Sequence, residues 1–315
     1  MNEYNYVITA DSGCDLPADF LAKRGVFPIH MRYVVGSDAY TDDMNDVSAR
    51  LFYNRLETGA KGAPVRLSAD DFYAFWEPYA QAGQAVLHIS IGSAVSGCWE
   101  NGCAAARRLQ QAYPDWQIIC LDSTLASAGY GLLVITASEL KENGRTISEC
   151  AAALEALKHS VVGLFAAAAP ERLCGEKNAP AGLNTLLQVR SILDLDYNGR
   201  LKVREMVRGD KALRQRMTKL TCELSAAPSA QTLIIAHADC IGAAIEYGNL
   251  LTAAAGFRDV YYTNLGPVIG IHAGRGLVAA FFMGLEREQP AAEPALRQAG
   301  RRAIRRRSIA GSTAG

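Results

Sequence analysis

Three polar loops in this 315-residue chain carry residue types that can bind or activate an anion. Asp11-Ser12 follows the run Tyr6-Val7-Ile8, and Asp122-Ser123 follows Trp116–Leu121. Gly92-Ser93-Ala94-Val95-Ser96-Gly97 follows Ala85–Ile89 and is the most informative of the three. Its two serines and two glycines stand between an extended run and a helix, so hydroxyls and free amides can converge on one anion. The same composition also suits a plain helix start, because Ser96 alone would cap a helix opening at Cys98. His272 is a fourth candidate. It lies among Gly266, Gly270, Gly274 and Gly276, which let the backbone run close to a ligand or a second domain. Its imidazole can donate to a carboxylate or phosphate, or serve as a satisfied structural group.

Other chemistries have less support. Ser, His and Asp are all available to a serine-dependent lipid hydrolase, but the nucleophile elbow G-x-S-x-G is absent. Ala94 stands two residues before Ser96, and Ile91 two before Ser93. There is no Walker A run and no G-x-G-x-x-G fingerprint. The histidines, at 30, 88, 159, 237 and 272, are too widely spaced to suggest a metal cluster. The cysteines, at 14, 98, 103, 120, 150, 174, 222 and 240, form no C-x-x-C pair, so neither a zinc knuckle nor a redox motif is supported. Most of them fall in apolar stretches and read as buried free thiols.

Ligands of parallel α/β sheets bind at the carboxyl ends of strands, and these loops need strand–loop–helix units to hold them there. The chain supplies such units. Val26–Val35 reads as a further extended segment, and Ser68 with Asp71 opens the helix Ala69–Gln81 as a capping box. A helix Cys98–Tyr113 follows the serine loop, and another begins near Ala126. Beyond Lys158 come strands at Val161–Phe165 and Ile192–Leu195. A turn at Asn198-Gly199 then leads to a strand over Leu201–Val207, which predicts a hairpin. Helix Lys211–Leu224, strand Leu233–His237, helix Ile241–Ala254, strand Val260–Tyr262 and the apolar Leu277–Met283 complete the pattern. The predicted fold is α/β, with two domains, 1–158 and 159–285, each holding a mainly parallel sheet flanked by helices, with a basic tail over 286–315.

Half of the residues are hydrophobic and a fifth are charged, which excludes a disordered chain and a disulfide-stapled miniprotein. Lys plus Arg and Asp plus Glu both number 32, so the chain lacks the basic balance usual in a nucleic-acid binder. After Glu293, however, there are six arginines and no acids, leaving 26 basic against 32 acidic residues before them. That tail could make transient contact with an anionic membrane surface, or be simply solvated. The opening residues lack a basic and then apolar leader, and no apolar run reaches membrane-spanning length, so a cytoplasmic protein is expected.

Taken together, these motifs resemble the DegV family of bacterial fatty-acid-binding proteins over Ile8 to Gly284. Thr9-Ala10-Asp11-Ser12-Gly13-Cys14-Asp15-Leu16 is similar to the family's T-D-S-x-x-D-L, with Ala10 inserted. Gly92–Cys98 resembles S-S-x-L-S-G-T, and Asp122-Ser123 the D-S after the next strand. Asn198-Gly199 with Val207-Arg208-Gly209 resembles N-G … V-R-T/G. Gly266–Gly276 resembles G-P-V-I-G-T-H-x-G-P-G. The resemblance implies a non-catalytic carrier with no cofactor, holding one long-chain fatty acid in a buried tunnel between two α/β domains. It implies head-group contacts from Ser93 and His272; the candidate ligand site read from the residues also takes in Gly92, Ser96, Gly97, Asp11, Ser12 and Arg275. It implies that Arg208 engages a dihydroxyacetone-kinase-like fatty acid kinase, which supplies ATP and performs the phosphoryl transfer.

The departures are chemically coherent. The family's T-S-x-P-S, whose threonine contacts the head group, aligns with Pro64-Val65-Arg66-Leu67-Ser68. Cys98 and Ile271 stand where the family has threonines, Arg275 where it has proline, and G-G-R-I is not found in Glu171–Pro180. Hydroxyls are lost and a cation is added near His272. Either Arg275 or Arg66 helps hold the anion, or the ligand is a different apolar anion, or Arg275 points to solvent.

Overall fold

Short β-branched runs, small-residue loops and amphipathic helices alternate along the chain, and the structure, a computed structural model, describes residues 3–174 and 189–289. The first half holds β1 (Tyr6–Asp11), α1 (Ala18–Lys23), β2 (Val26–Ile29), β3 (Arg32–Val35), β4 (Asp38–Thr41), α2 (Asp46–Glu57) and β5 (Gly62–Val65). It continues with α3 (Ala69–Gln81), β6 (Ala85–Ser90), α4 (Cys98–Ala112), β7 (Ile118–Asp122), α5 (Ala128–Glu142) and α6 (Ile147–Leu157). The second half holds β8 (Val161–Ala167), α7 (Glu171–Cys174), β9 (Val189–Leu195), β10 (Leu201–Arg208), α8 (Asp210–Leu224) and β11 (Thr232–His237). It ends with α9 (Ile241–Ala255), β12 (Asp259–Asn264), α10 (Pro267–Ala273) and β13 (Val278–Met283).

The first sheet, in the order β2-β1-β6-β7, is parallel throughout, as the strand–loop–helix pattern predicts. The predicted extended segment Val26–Val35 breaks at His30-Met31. Its second half leaves the sheet to form a small antiparallel one, β4-β3-β5. Pro28 fits β2 because that strand lies at an edge, where a missing N–H costs nothing.

The second sheet corrects the expectation of a mainly parallel one. Its order is β10-β9-β8-β13-β11-β12, and among its described pairings only β11–β12 is parallel. Two physical causes are visible. The Asn198-Gly199 turn joins β9 directly to β10, and so short a link forces antiparallel pairing. The chain leaves β12 through α10, which at seven residues is only about 10 Å long. It cannot carry the chain back across the sheet, so β13 starts beside His237 at the same end and runs the other way.

Strand β1 is buried at every position, and so are β6 and β8. His88 on β6 belongs to this core. Its Nδ1 lies 3.0 Å from Thr9 Oγ1, the Phe72 and Trp76 rings flank it, and burial lowers its pKa to about 3. Helix α5 packs on β8 and β13, so the two halves share one apolar cluster. Gly129 on α5 and Gly163 on β8 both face Phe281, where an added Cβ would lie 3.2 and 3.0 Å from its ring.

The basic tail expected from residue 286 does not begin there. Arg287 is partly buried and donates to the Thr124, Lys158 and Asp196 carbonyls and to the Thr124 hydroxyl. The arginine-rich segment 290–315 lies outside the described residues, as does 175–188, which covers most of the stretch compared with G-G-R-I. The described cysteines are free, but Cys222 is exposed rather than buried. No helix among the described residues is long and apolar enough to cross a membrane.

Candidate ligand-binding site

Helix α10 carries His272 and is clamped by the first half of the chain. Gly266, its N-cap, donates its N–H to Asp15 Oδ1 at 2.8 Å, and the Tyr53 hydroxyl donates to the Leu265 carbonyl at 2.9 Å. Gly270 is required here, because any side chain would collide with the Tyr53 hydroxyl. The next turn brings Ile271 against Gly62 on β5, where an added Cβ would lie 2.9 Å from the isoleucine. A cleft of ≈670 Å³ opens between α10, the end of α2 and β5, with His272, Ile271, Arg275, Arg172, Lys61 and Glu57 among its lining. Partial burial lowers the His272 pKa below the ordinary histidine value, which favours a neutral ring near pH 7.

The serine loop lies beyond the far end of β5. Arg66, just after that strand, is stacked on Gly97, where an added Cβ would lie 2.6 Å from its Nη1. Gly92 is equally constrained: its N–H donates to the Leu125 carbonyl at 2.7 Å, and an added Cβ would lie 2.8 Å from Leu125 N. Ser93 is held by Asp122, its amide at 3.0 Å from Oδ1 and its hydroxyl donating to Oδ2 at 2.6 Å. The Ser96 hydroxyl donates to Cys98 Sγ at 3.1 Å instead of capping α4, whose N-terminus has no side-chain cap. Neither serine hydrogen-bonds a histidine among the described residues, so the Ser–His pairing of a serine hydrolase is not formed there. Ser93 borders a separate cleft with Asp122, Lys158, His159, Tyr197 and Arg200. His272 borders the other, and each cleft has its own lining.

Asp11 and Ser12 spend their hydrogen bonds inside the protein. Asp11 accepts from Ser90 Oγ at 3.1 Å, Ile91 N at 2.9 Å and the Tyr130 hydroxyl. Ser12 donates to Asp42 Oδ2 at 2.8 Å and accepts from Met31 N at 3.0 Å. Burial is the largest influence on Asp11, Asp15 and Asp42 and raises all three pKa values, that of Asp42 to about 6. Asp15 is a joint between the halves, accepting from Ser127 at 2.5 Å as well as from Gly266 N. These acids set the backbone of the loops rather than facing the clefts around Ser93 and His272.

Arg275 does line the His272 cleft, but its charge is committed. The guanidinium pairs with Glu57 and Asp239 and donates to Asn54 Oδ1 at 3.2 Å, tying α2 to the loop after β11. The side chain stays 30% exposed while it makes these contacts. Arg208 ends β10 at the sheet edge and is exposed, and it is not among the residues lining either cleft. Lys61, Arg172 and Glu57 were not singled out in the sequence. Their only signal was charge on segments without a motif, and nothing local links positions 61, 172 and 272. No group of three metal-ligating side chains suited to a metal ion occurs among the described residues.

The family profile for DegV, described as uncharacterised proteins, matches residues 5–284. A relative from Thermotoga maritima described as a fatty acid-binding protein is 28% identical over 291 residues, covering 90% of this chain and 99% of its own. Among solved structures, a DegV lipid binding protein from Thermotoga maritima superposes with a TM-score of 0.78 at 25% identity, over 90% of this chain and all of that one. A Streptococcus pneumoniae fatty acid kinase B3 protein loaded with linoleic acid superposes with a TM-score of 0.75 over 89% of this chain and all of that one. At 18% identity it speaks for the fold alone.

Proposed function

This chain belongs to the DegV family, and from that premise we propose that it is a non-catalytic carrier of a long-chain fatty acid. The acyl chain lies in a tunnel between the two halves, and the carboxylate is presented to a dihydroxyacetone-kinase-like fatty acid kinase in the cytoplasm. One observation carries the reading: α10 of the second half is seated on α2 and β5 of the first, with His272 in the cleft between them. The likeness to lipid-binding relatives over nine-tenths of the chain supports it. In this reading His272 sits at the head-group end, β5 spans towards the Ser93 loop, and Arg208 on the β10 edge faces the kinase.

The energetics suit a carrier. At about 0.8 kcal/mol per buried methylene, roughly 15 methylenes contribute ~12 kcal/mol before the costs of ordering the chain. Hydrogen bonds to the charged head, ~1.5–3 kcal/mol each, then determine where the carboxylate rests. Purified protein extracted under denaturing conditions should release about one long-chain acid per chain, read by mass spectrometry. Protein that is empty and also takes up no added fatty acid would overturn the proposal. Labelling by a fluorophosphonate, lost on mutation of Ser93 or Ser96, would replace it with a hydrolase.

A further inference from the structure

We propose that Cys103 on α4 and Cys120 on β7 form a peroxide-sensitive modification site, closing reversibly to a disulfide that cross-links the helix to the strand. The site does not depend on what the protein carries. Helix α4 packs on β7, and the Trp99 indole donates to the Cys120 carbonyl at 3.1 Å, pinning the two elements together at that point. Cys103 stands four residues after Trp99, so it lies on the same face of the helix one turn further along. Its thiol and that of Cys120 are hydrogen-bond partners, and both residues are only partly buried. Strand β7 is at the sheet edge. A cleft of ≈480 Å³ opens there, lined by Cys120 with Trp99, Asp122, Ala151 and Lys158, and gives a small oxidant a route to the pair.

The two thiols are unequal. The hydrogen bond from Cys120 holds the Cys103 pKa below the ordinary cysteine value, and Arg107, one turn on, acts in the same sense. The same hydrogen bond, with burial, raises that of Cys120. Cys103 is therefore the attacking thiolate and Cys120 the resolving thiol. Cys103 sulfur attacks one oxygen of hydrogen peroxide: an S–O bond forms, the O–O bond breaks, and the departing hydroxide takes up the proton Cys103 released. Cys120 sulfur then attacks Cys103 sulfur. The S–S bond forms as the S–O bond breaks, and the hydroxyl leaves as a second water with the Cys120 proton. Two thiols are oxidised and one peroxide is reduced to two waters. Asp122, two residues past Cys120, holds the Ser93 amide and hydroxyl, and α4 begins directly after the serine loop. The cross-link thus fixes the spacing of the two elements that flank that loop.

The test treats the reduced full chain with hydrogen peroxide, quenches with N-ethylmaleimide and maps the peptides without reduction. A linked peptide pair carrying Cys103 and Cys120 should appear, and dithiothreitol should reverse it. Cys103 should be lost at least about tenfold faster than Cys222, the exposed thiol that serves as the internal control. C120S should stop at a Cys103 sulfenic acid that dimedone traps, and C103S should leave Cys120 reduced. In the wild type alone, three results each overturn the inference: both thiols staying alkylatable, Cys103 oxidising no faster than Cys222, or either cysteine linking elsewhere.

Discussion

Arg287 falls within the span 286–315 read as a basic tail, and in the structure it staples the two halves together. Replacing it with alanine removes donors that join three segments. Nη1 reaches the Thr124 carbonyl at 3.0 Å and the Asp196 carbonyl at 2.8 Å. Nη2 reaches Thr124 Oγ1 and the Lys158 carbonyl, both at 2.8 Å. Four hydrogen bonds from a cation amount to a gross ~6–12 kcal/mol at ~1.5–3 each. Desolvation offsets part of this. Burial pushes the Arg287 pKa down to about 10, which corresponds to roughly 3 kcal/mol against the charged form. Water also replaces some donors in the variant, because Thr124 borders an open cleft. The expected net loss is about 3 kcal/mol, at the upper end of what single substitutions cost. Urea unfolding of R287A should show the loss as a lower midpoint at unchanged slope. A second pair isolates the same contact: a chain ending at Gln289 keeps the staple, and one ending at Leu285 loses it. Equal midpoints within both comparisons would refute the reasoning.

Three further outcomes follow from the same geometry. Asp42 has a folded pKa of about 6, above its unfolded value near ~3.9, so the native state holds an extra proton between those values and this contribution weakens as pH rises from about 4 through 6. D42N should therefore gain at most about 3 kcal/mol over wild type at pH 7, less any lost hydrogen bonding, with the difference fading towards pH 4; a variant less stable than wild type at pH 7 would count against the buried charge. In the half-exposed thiol pair, a hydrogen bond with Cys120 lowers the Cys103 pKa while that of Cys120 is raised, so iodoacetamide at pH 8 should alkylate Cys103 well before Cys120, read by peptide mapping. Ser68 and Asp71 form a reciprocal capping box on α3, so S68A should cost about 1 kcal/mol in thermal or urea unfolding.

Local signals carried much of the fold. Ser68 and Asp71 are three residues apart, and the α3 cap they predict is present. The Asn198-Gly199 dipeptide predicts a hairpin, and β9 pairs with β10 around it. Both depend on neighbours in sequence, which propensity and spacing can reveal. The Thr146–Glu149 box before α6 carries the same kind of signal and was readable too. The seven-residue α10 was hidden by Gly270 inside it and by the glycines that flank it, Gly266 and Gly274. Their low helix propensity is outweighed by the Tyr53 and Asp15 contacts that clamp the segment.

By itself the sequence determined the strand–loop–helix units, the four-stranded parallel sheet they build, the loops at its carboxyl ends and the family they resemble. The tertiary structure decided the direction of the second sheet, because that turned on the span of α10 rather than on any strand's own pattern. It also decided which charges are paired among the described residues. Arg275 looked like the added cation near His272, but Glu57 and Asp239, 218 and 36 positions away in the chain, neutralise it. Arg172, on α7, comes to line the same cleft as His272 through a close approach to a glycine on another element. Charge pairing acts through space over a few ångströms, and no sequence period records it.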